Sequence, residues 1–191
     1  AVSDSSHRSV ISRRTVLRLY ARRIADGVSP DANRALGLQL IAEAENAEES
    51  NTRLRALWVA AHTYRDHLDL GILHQVWDQL RGEKSGELSL EDQAEYALGI
   101  ATCQYLVGDK HGSLKTVEGV IGKLERQGIL NSIYLSLIVG LGAIRTGLGE
   151  YDAAVAIGEK GVHIARKVGD ERRIRMLAGN LALSHCRLGN V

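Results

Sequence analysis

Phenylalanine is absent from the 191 residues, proline occurs once, and cysteine and tryptophan occur twice each. Each scarcity constrains the protein. Without Phe, and with only six Tyr, a core has to be assembled from Ala, Leu, Ile and Val. One Pro suits a nearly all-helical chain, because Pro breaks helix interiors and is tolerated in the first turn. Pro30 occupies such a place: Ser29 before it can cap, and Asp31 after it suits the positive end of the helix dipole. Cys103 and Cys186 lie 83 residues apart with no C-x-x-C spacing, which argues against a disulfide framework. Each sits in an apolar helical stretch, so both read as buried free thiols in a reducing compartment. A net charge of +1 argues against a general polyanion binder, and nucleic-acid contact is not expected within this segment. Arg outnumbers Lys by 18 to 6, a bias that fits GC-rich coding better than a phosphate site. No apolar run approaches the ~20 residues of a membrane span, and no signal peptide is visible. The expected location is cytoplasmic, with no membrane partner.

What is present is helical periodicity. Apolar residues recur at spacings of three and four, the period of amphipathic helices, and no strand-like alternation competes. A helix over 9–26 places Val16, Leu17, Tyr20 and Ile24 on one side and Arg13, Arg14, Arg18, Arg22 and Arg23 on the other. The next runs over 30–47 with Leu36, Leu38, Leu40, Ile41 and Ala44 as its apolar set, followed by helices at 52–66 and 69–81. After a GEKSGE loop (82–87), Ser89 and Asp92 form a capping-box pattern that opens a helix over 90–107. Helices at 110–127, 132–147 (capped by Asn131), 150–168 and 171–188 (opened by Asp170) complete nine. Residues 1–7 read as linker or disordered, and 8–191 as one helical domain. The chain opens at Ala1 and stops at Val191, just after a turn suited to introducing another helix. It reads as an excised piece of a longer protein, or as a processed one.

Short glycine turns repeat at a fixed interval. QYLVGDKHGSLKTV (104–117), RTGLGEYDAAVAIG (145–158) and SHCRLGN (184–190) align so that Gly108, Gly149 and Gly189 coincide, at intervals of 41 and 40. The same interval counted backwards reaches His67 and then Gly27. Such a period means one helix-turn-helix unit stacked on itself. Around it, Leu141-Gly142, Tyr151 and Ala154 in GEYDAA (149–154), Asn180-Leu181-Ala182 with Leu188-Gly189, and Ile100-Ala101 with Gly108-Asp109 form a common pattern. With these residues the region 94–189 resembles the tetratricopeptide repeat (TPR) family. The period of 40–41 exceeds that family's basic one of about 34 and looks like the long variant of kinesin light chains and of several bacterial transcription activators and signalling ATPases. Gly158 and Arg145 depart from the pattern, standing where the family prefers an aromatic and a tyrosine. Residues 8–82 match by period and amphipathicity. The pentatricopeptide (RNA-reading) relative needs a near-constant period of about 35 residues, and the 40–41 spacing argues against it.

The resemblance implies an all-α, right-handed α-solenoid of about four and a half hairpins, whose first helices line a concave face. Carried over by position, that face comprises Trp58, Ala61, Tyr64 and Arg65, then Glu95, Leu98, Thr102 and Tyr105. It continues with Ser136, Val139, Ala143 and Thr146, and ends with Asn180, Leu183 and Arg187. Asn180 matches a position whose amide, in family members, bonds the backbone of an extended peptide; alternatively it stabilises the helix near the end of the array. Tyr64, Tyr105 and Trp58 are candidate aromatic anchors, with Trp58 open to a plain core role.

Other chemistry is weakly signalled. His62, His67 and His74 are spaced by five and seven, which does not place them on one helix face, and surface or turn positions account for them. The arginines at 8–23 cover the polar side of their helix and read as a solvated face. No phosphate loop or catalytic arrangement can be argued from spacing, so no enzyme activity, cofactor or metal is expected. The expected function is a non-catalytic scaffold for a protein or peptide, a TPR module of a cytoplasmic, bacterial, multidomain regulator. The alternatives are a self-associating spacer, pairing as a homodimer through the exposed C-terminal half-repeat with its Leu181 and Leu188, and an effector-sensing domain of a transcription regulator. A hydrolytic metal site at the histidines ranks last.

Overall fold

A computed structural model describes residues 30–46 and 89–190, with isolated positions 52, 53, 56, 57, 60, 76 and 78. The chain divides into two compact units, Ala1–Leu88 and Ser89–Val191. Among the described residues every regular element is an α-helix and none is a strand.

In the first unit, helix α1 spans Pro30–Asn46, opened by its proline with Asp31 in the first turn. Leu36, Leu40, Ile41 and Ala44 are buried, a stripe at spacings of four, one and three. Leu38 is half exposed, contrary to its place in the expected apolar set, because it sits about 200° around the helix from Leu36 and Leu40. Helical positions Thr52, Ala56, Leu57, Ala60 and Val76 are also buried. The expected helix over 9–26 with its arginines, the Ser29 cap, and His62, His67 and His74 lie outside the described residues.

The second unit holds α2 (Leu90–Leu106), α3 (Lys110–Arg126), α4 (Ser132–Leu148), α5 (Tyr151–Val168) and α6 (Glu171–Leu188). Each expected helix boundary here lies within one residue of the observed one. The caps explain that agreement. Ser89 Oγ accepts from the Asp92 N–H, Asp109 from Gly112, Asn131 from Ile133 and Tyr134, and Asp170 from Arg173. Each satisfies N–H groups that a helix start leaves unpaired. At the other ends Gly108, Gly128, Gly149, Gly169 and Gly189 all have positive φ. At Gly149 and Gly169 the bonds Glu150 N–H to Arg145 O and Asp170 N–H to Ala165 O close Schellman turns. A reversal every 20 or 21 residues is therefore written into the chain by a glycine that stops one helix and, except at α5, where Glu150 makes no side-chain cap bond, by a polar side chain that caps the next.

Packing follows chain order. Each helix contacts the next, and in addition α2 packs on α4 and α4 on α6. The first helices α2, α4 and α6 thus form one layer, with α3 and α5 seated on it. Helix α4 touches the other four and is apolar nearly all round, as its position requires. Tyr134, Leu135, Leu137 and Ile138 are fully buried, each contributing about 1.5–3 kcal/mol of burial. Gly158, which departs from the aromatic expected there, has a physical reason: a Cβ would lie 2.8 Å from Leu181 Cδ2, so the α5–α6 crossing leaves no space for one. Leu181 is therefore committed to α5 rather than left open as expected. Cys103 is buried and Cys186 exposed, so only the first fits the expectation of a buried thiol. Cys186 sits on the side of α6 away from α4 and α5.

Candidate functional site

The layer of first helices carries the residues expected to line a binding face. It is joined by bonds between residues about one repeat apart. Asn131 Nδ2 donates to Glu91 Oε1 at 2.6 Å, linking the N-termini of α4 and α2. Between α4 and α6, Ser132 Oγ donates to Asp170 Oδ2 at 3.3 Å and Arg173 Nη2 donates to Ser136 Oγ at 2.8 Å. Farther along, Asn180 Nδ2 donates to the Val139 carbonyl at 3.1 Å, and the Thr146 and Ser184 hydroxyls share a bond of 2.9 Å. The period that identifies the repeat in the sequence is thus the interval at which the helices are fastened to one another.

This fastening changes what the expected site residues do. Leu98 is buried, its Cδ1 close to Gly140, so it fills the α2–α4 contact rather than lining an open face. Tyr105 lies on Gly147, where a Cβ would overlap its hydroxyl. Lys110 Nζ stands 5.7 Å from the Tyr105 ring centroid while donating to the Gly147 carbonyl at 2.9 Å. Thr102 Oγ1 donates to its own helix at the Leu98 carbonyl, 2.8 Å away. Ser136, the Val139 carbonyl, Thr146 and Asn180 are the interhelical partners named above. Glu95 is half-buried on α2. Ala143 and Arg187 are exposed, and Leu183 is 49 % exposed. Trp58, Ala61, Tyr64 and Arg65 lie outside the described residues. The open part of the expected face is therefore Ala143 on α4 with Leu183 and Arg187 on α6.

Sequence reasoning missed Met176, 44 % exposed, and the exposed Arg172 and Arg175 beside it. Their signal was available: they recur at spacings of three and four with Gly179, Leu183 and Cys186. The first helices also differ in charge. Helix α2 carries Glu91, Asp92 and Glu95 and no basic residue, whereas α6 carries Arg172, Arg173, Arg175 and Arg187 against Glu171 alone.

Electrostatic clusters tie α3 and α5 to α4. Glu125 of α3 accepts from Tyr134 Oη of α4 at 2.8 Å and from Lys160 Nζ of α5 at 2.7 Å. The Lys160 bond, supported by that of Tyr134, holds the Glu125 carboxyl below its usual value, and Glu125 in turn raises Lys160. Burial, together with the neighbouring carboxylate, pushes the Tyr134 phenol up to about 12. Arg145 bridges Glu118 of α3 and Glu150 at the start of α5. This explains its departure from the tyrosine of the repeat pattern: it clasps the same three helices. Burial raises the Cys103 thiol to about 12, so it is protonated at neutral pH. Among the described residues no three His, Cys, Asp or Glu side chains converge to hold a metal, and no helix is long and apolar enough to cross a membrane.

No protein-family model matches the chain, and no curated protein is significantly similar to it.

Proposed function

We propose that the chain is a TPR-like, right-handed α-solenoid that serves as a non-catalytic scaffold for a protein or peptide. The observation that carries this reading is the layer α2–α4–α6, fastened at one-repeat intervals, with an open stripe of Ala143, Leu183 and Arg187. A rigid row of parallel helices presents its free stripe without reorganisation, which keeps the entropic cost of binding low. In this reading Ala143, Leu183 and Arg187 meet the partner. Leu98, Tyr105, Ser136, Val139 and Asn180 set the spacing of the helices beneath it. Its setting would be a cytoplasmic, bacterial, multidomain regulator, as the long repeat period suggests.

Because Tyr105 and Asn180 hold helices together, replacing them would confuse loss of binding with loosened packing. The decisive variant is Ala143→Arg with Leu183→Asp, at two exposed positions. Affinity capture from a lysate should retain a partner on the wild-type chain and lose it on the variant, with circular dichroism unchanged. A partner retained equally by both would refute the groove. The alternative of a self-associating spacer is favoured by the exposed Met176 and Leu183. Sedimentation at rising concentration separates the two readings, since a strict monomer rules the spacer out.

A further inference from the structure

The outward side of α6 is built like a helix-binding side elsewhere in the same unit. Helix α4 receives α6 along Ser136, Val139, Gly142 and Thr146. One repeat later, 40 residues on, the same register of α6 holds Met176, Gly179, Ala182 and Cys186, all exposed. A Cβ added at Gly179 meets nothing within 4 Å, so a backbone can approach closely there. The stripe therefore has the shape of a seat for another helix.

Its charge decides which helix. Arg172, Arg175 and Arg187 flank the stripe, are exposed, and make no ion pair among the described residues. Glu171 is the single acidic residue of α6. A second copy of α6 laid on this face would set arginines against arginines in either orientation, and like charges in juxtaposition disfavour that pairing. We propose that the outward face of α6 docks an acidic amphipathic helix, with leucines or aromatics over Met176 and Leu183 and carboxylates opposite Arg172, Arg175 and Arg187. The proposal rests on the scaffold reading above and names the chemistry of the partner. The apolar contact supplies affinity through i, i+4, i+7 anchors, and the flanking charges supply orientation and on-rate.

The test uses the full chain and a labelled synthetic helix of about 15 residues, long enough to be marginally helical alone, with Leu at i, i+4 and i+7 and Glu flanking them. Fluorescence anisotropy should register saturable binding that weakens as salt rises. Arg175→Glu with Arg187→Glu should weaken it by about 10-fold, and Leu183→Asp should abolish it. A twin peptide with Lys for Glu, and another with Ser for Leu, should both fail to bind. The inference is overturned by absence of binding at low salt, by equal binding of either twin, or by indifference to Leu183→Asp. It is overturned equally if a single-stranded oligonucleotide binds with the same arginine dependence and without Leu183, because the face is then a polyanion surface. If the acidic peptide fails while lysate capture still depends on Ala143 and Leu183, the partner chemistry is wrong and the scaffold reading stands. If both fail, both readings fall.

Discussion

Glycine has three different roles in the second unit, and each predicts a different response to alanine. At Gly149 and Gly169 φ is +83° and +72°, a conformation that costs an L-residue about 1–2 kcal/mol. At Gly161, inside α5, an added Cβ would press on Ile138 Cγ2 and both δ-carbons of Leu177. Gly119, inside α3, has neither constraint: its surroundings are open and its φ ordinary. Gly119→Ala should therefore stabilise by roughly 0.5–1 kcal/mol through backbone entropy. Gly161→Ala should destabilise by roughly 1 kcal/mol net of that same gain. Urea midpoints measured side by side decide the matter, and a rise for both variants would mean that α4, α5 and α6 are not in close contact at Gly161.

At the scale of elements, polar clasps connect helices that apolar packing alone would leave free to slide. The Glu125–Tyr134–Lys160 cluster joins α3, α4 and α5 around a phenol at a fully buried residue. Glu125 titrates below its unfolded value of 4.5. Its contribution is therefore present above that value and fades as the pH falls through the lower folded one. Lys160 and Glu125 are largely exposed, so solvent screening limits the pair to about 0.5 kcal/mol. The stability difference between the wild-type chain and Lys160→Met should be greatest near neutral pH and shrink in acid. A difference that stays constant from pH 7 to pH 3 would show that the lysine acts through its aliphatic stem alone.

Across the second unit, contacts join each helix mainly to its neighbours in the chain and, for α2, α4 and α6, to the next helix of that layer, with the Glu125–Lys160 bond linking α3 to α5. Stability in such an arrangement is close to a sum of local terms, and it varies along the array. Helix α4 buries seven residues, whereas α6 buries only Leu177 and Ser184. Native-state hydrogen exchange should consequently find α4 the most protected helix and α6 the least, through opening of α6 alone. Equal protection of the two would mean that something covers the outward face of α6.

Helix type and helix limits were legible in the sequence because they depend on local rules. Asn131, Asp170 and Ser89 cap, glycines stop, and apolar residues recur at three and four within each segment. The reversal period was equally legible, since it is a property of spacing. The candidate site was legible only in part. Of the residues that position within the repeat assigned to a binding face, Ala143, Leu183 and Arg187 are exposed. Repeat position could not say that Leu98 would be taken up by Gly140, Tyr105 by Gly147 and Asn180 by the Val139 carbonyl. Nor could it say that Leu181 would turn to α5 and leave Met176 and Leu183 outward. Those outcomes depend on which surfaces approach across 40 residues of chain. A one-dimensional pattern fixes the direction of a side chain around its own helix, but its partner is set by how helices cross. The sequence by itself thus determined the elements and their rhythm. Only the tertiary structure decided which side chains are used up in holding the layer together and which remain free to meet another molecule.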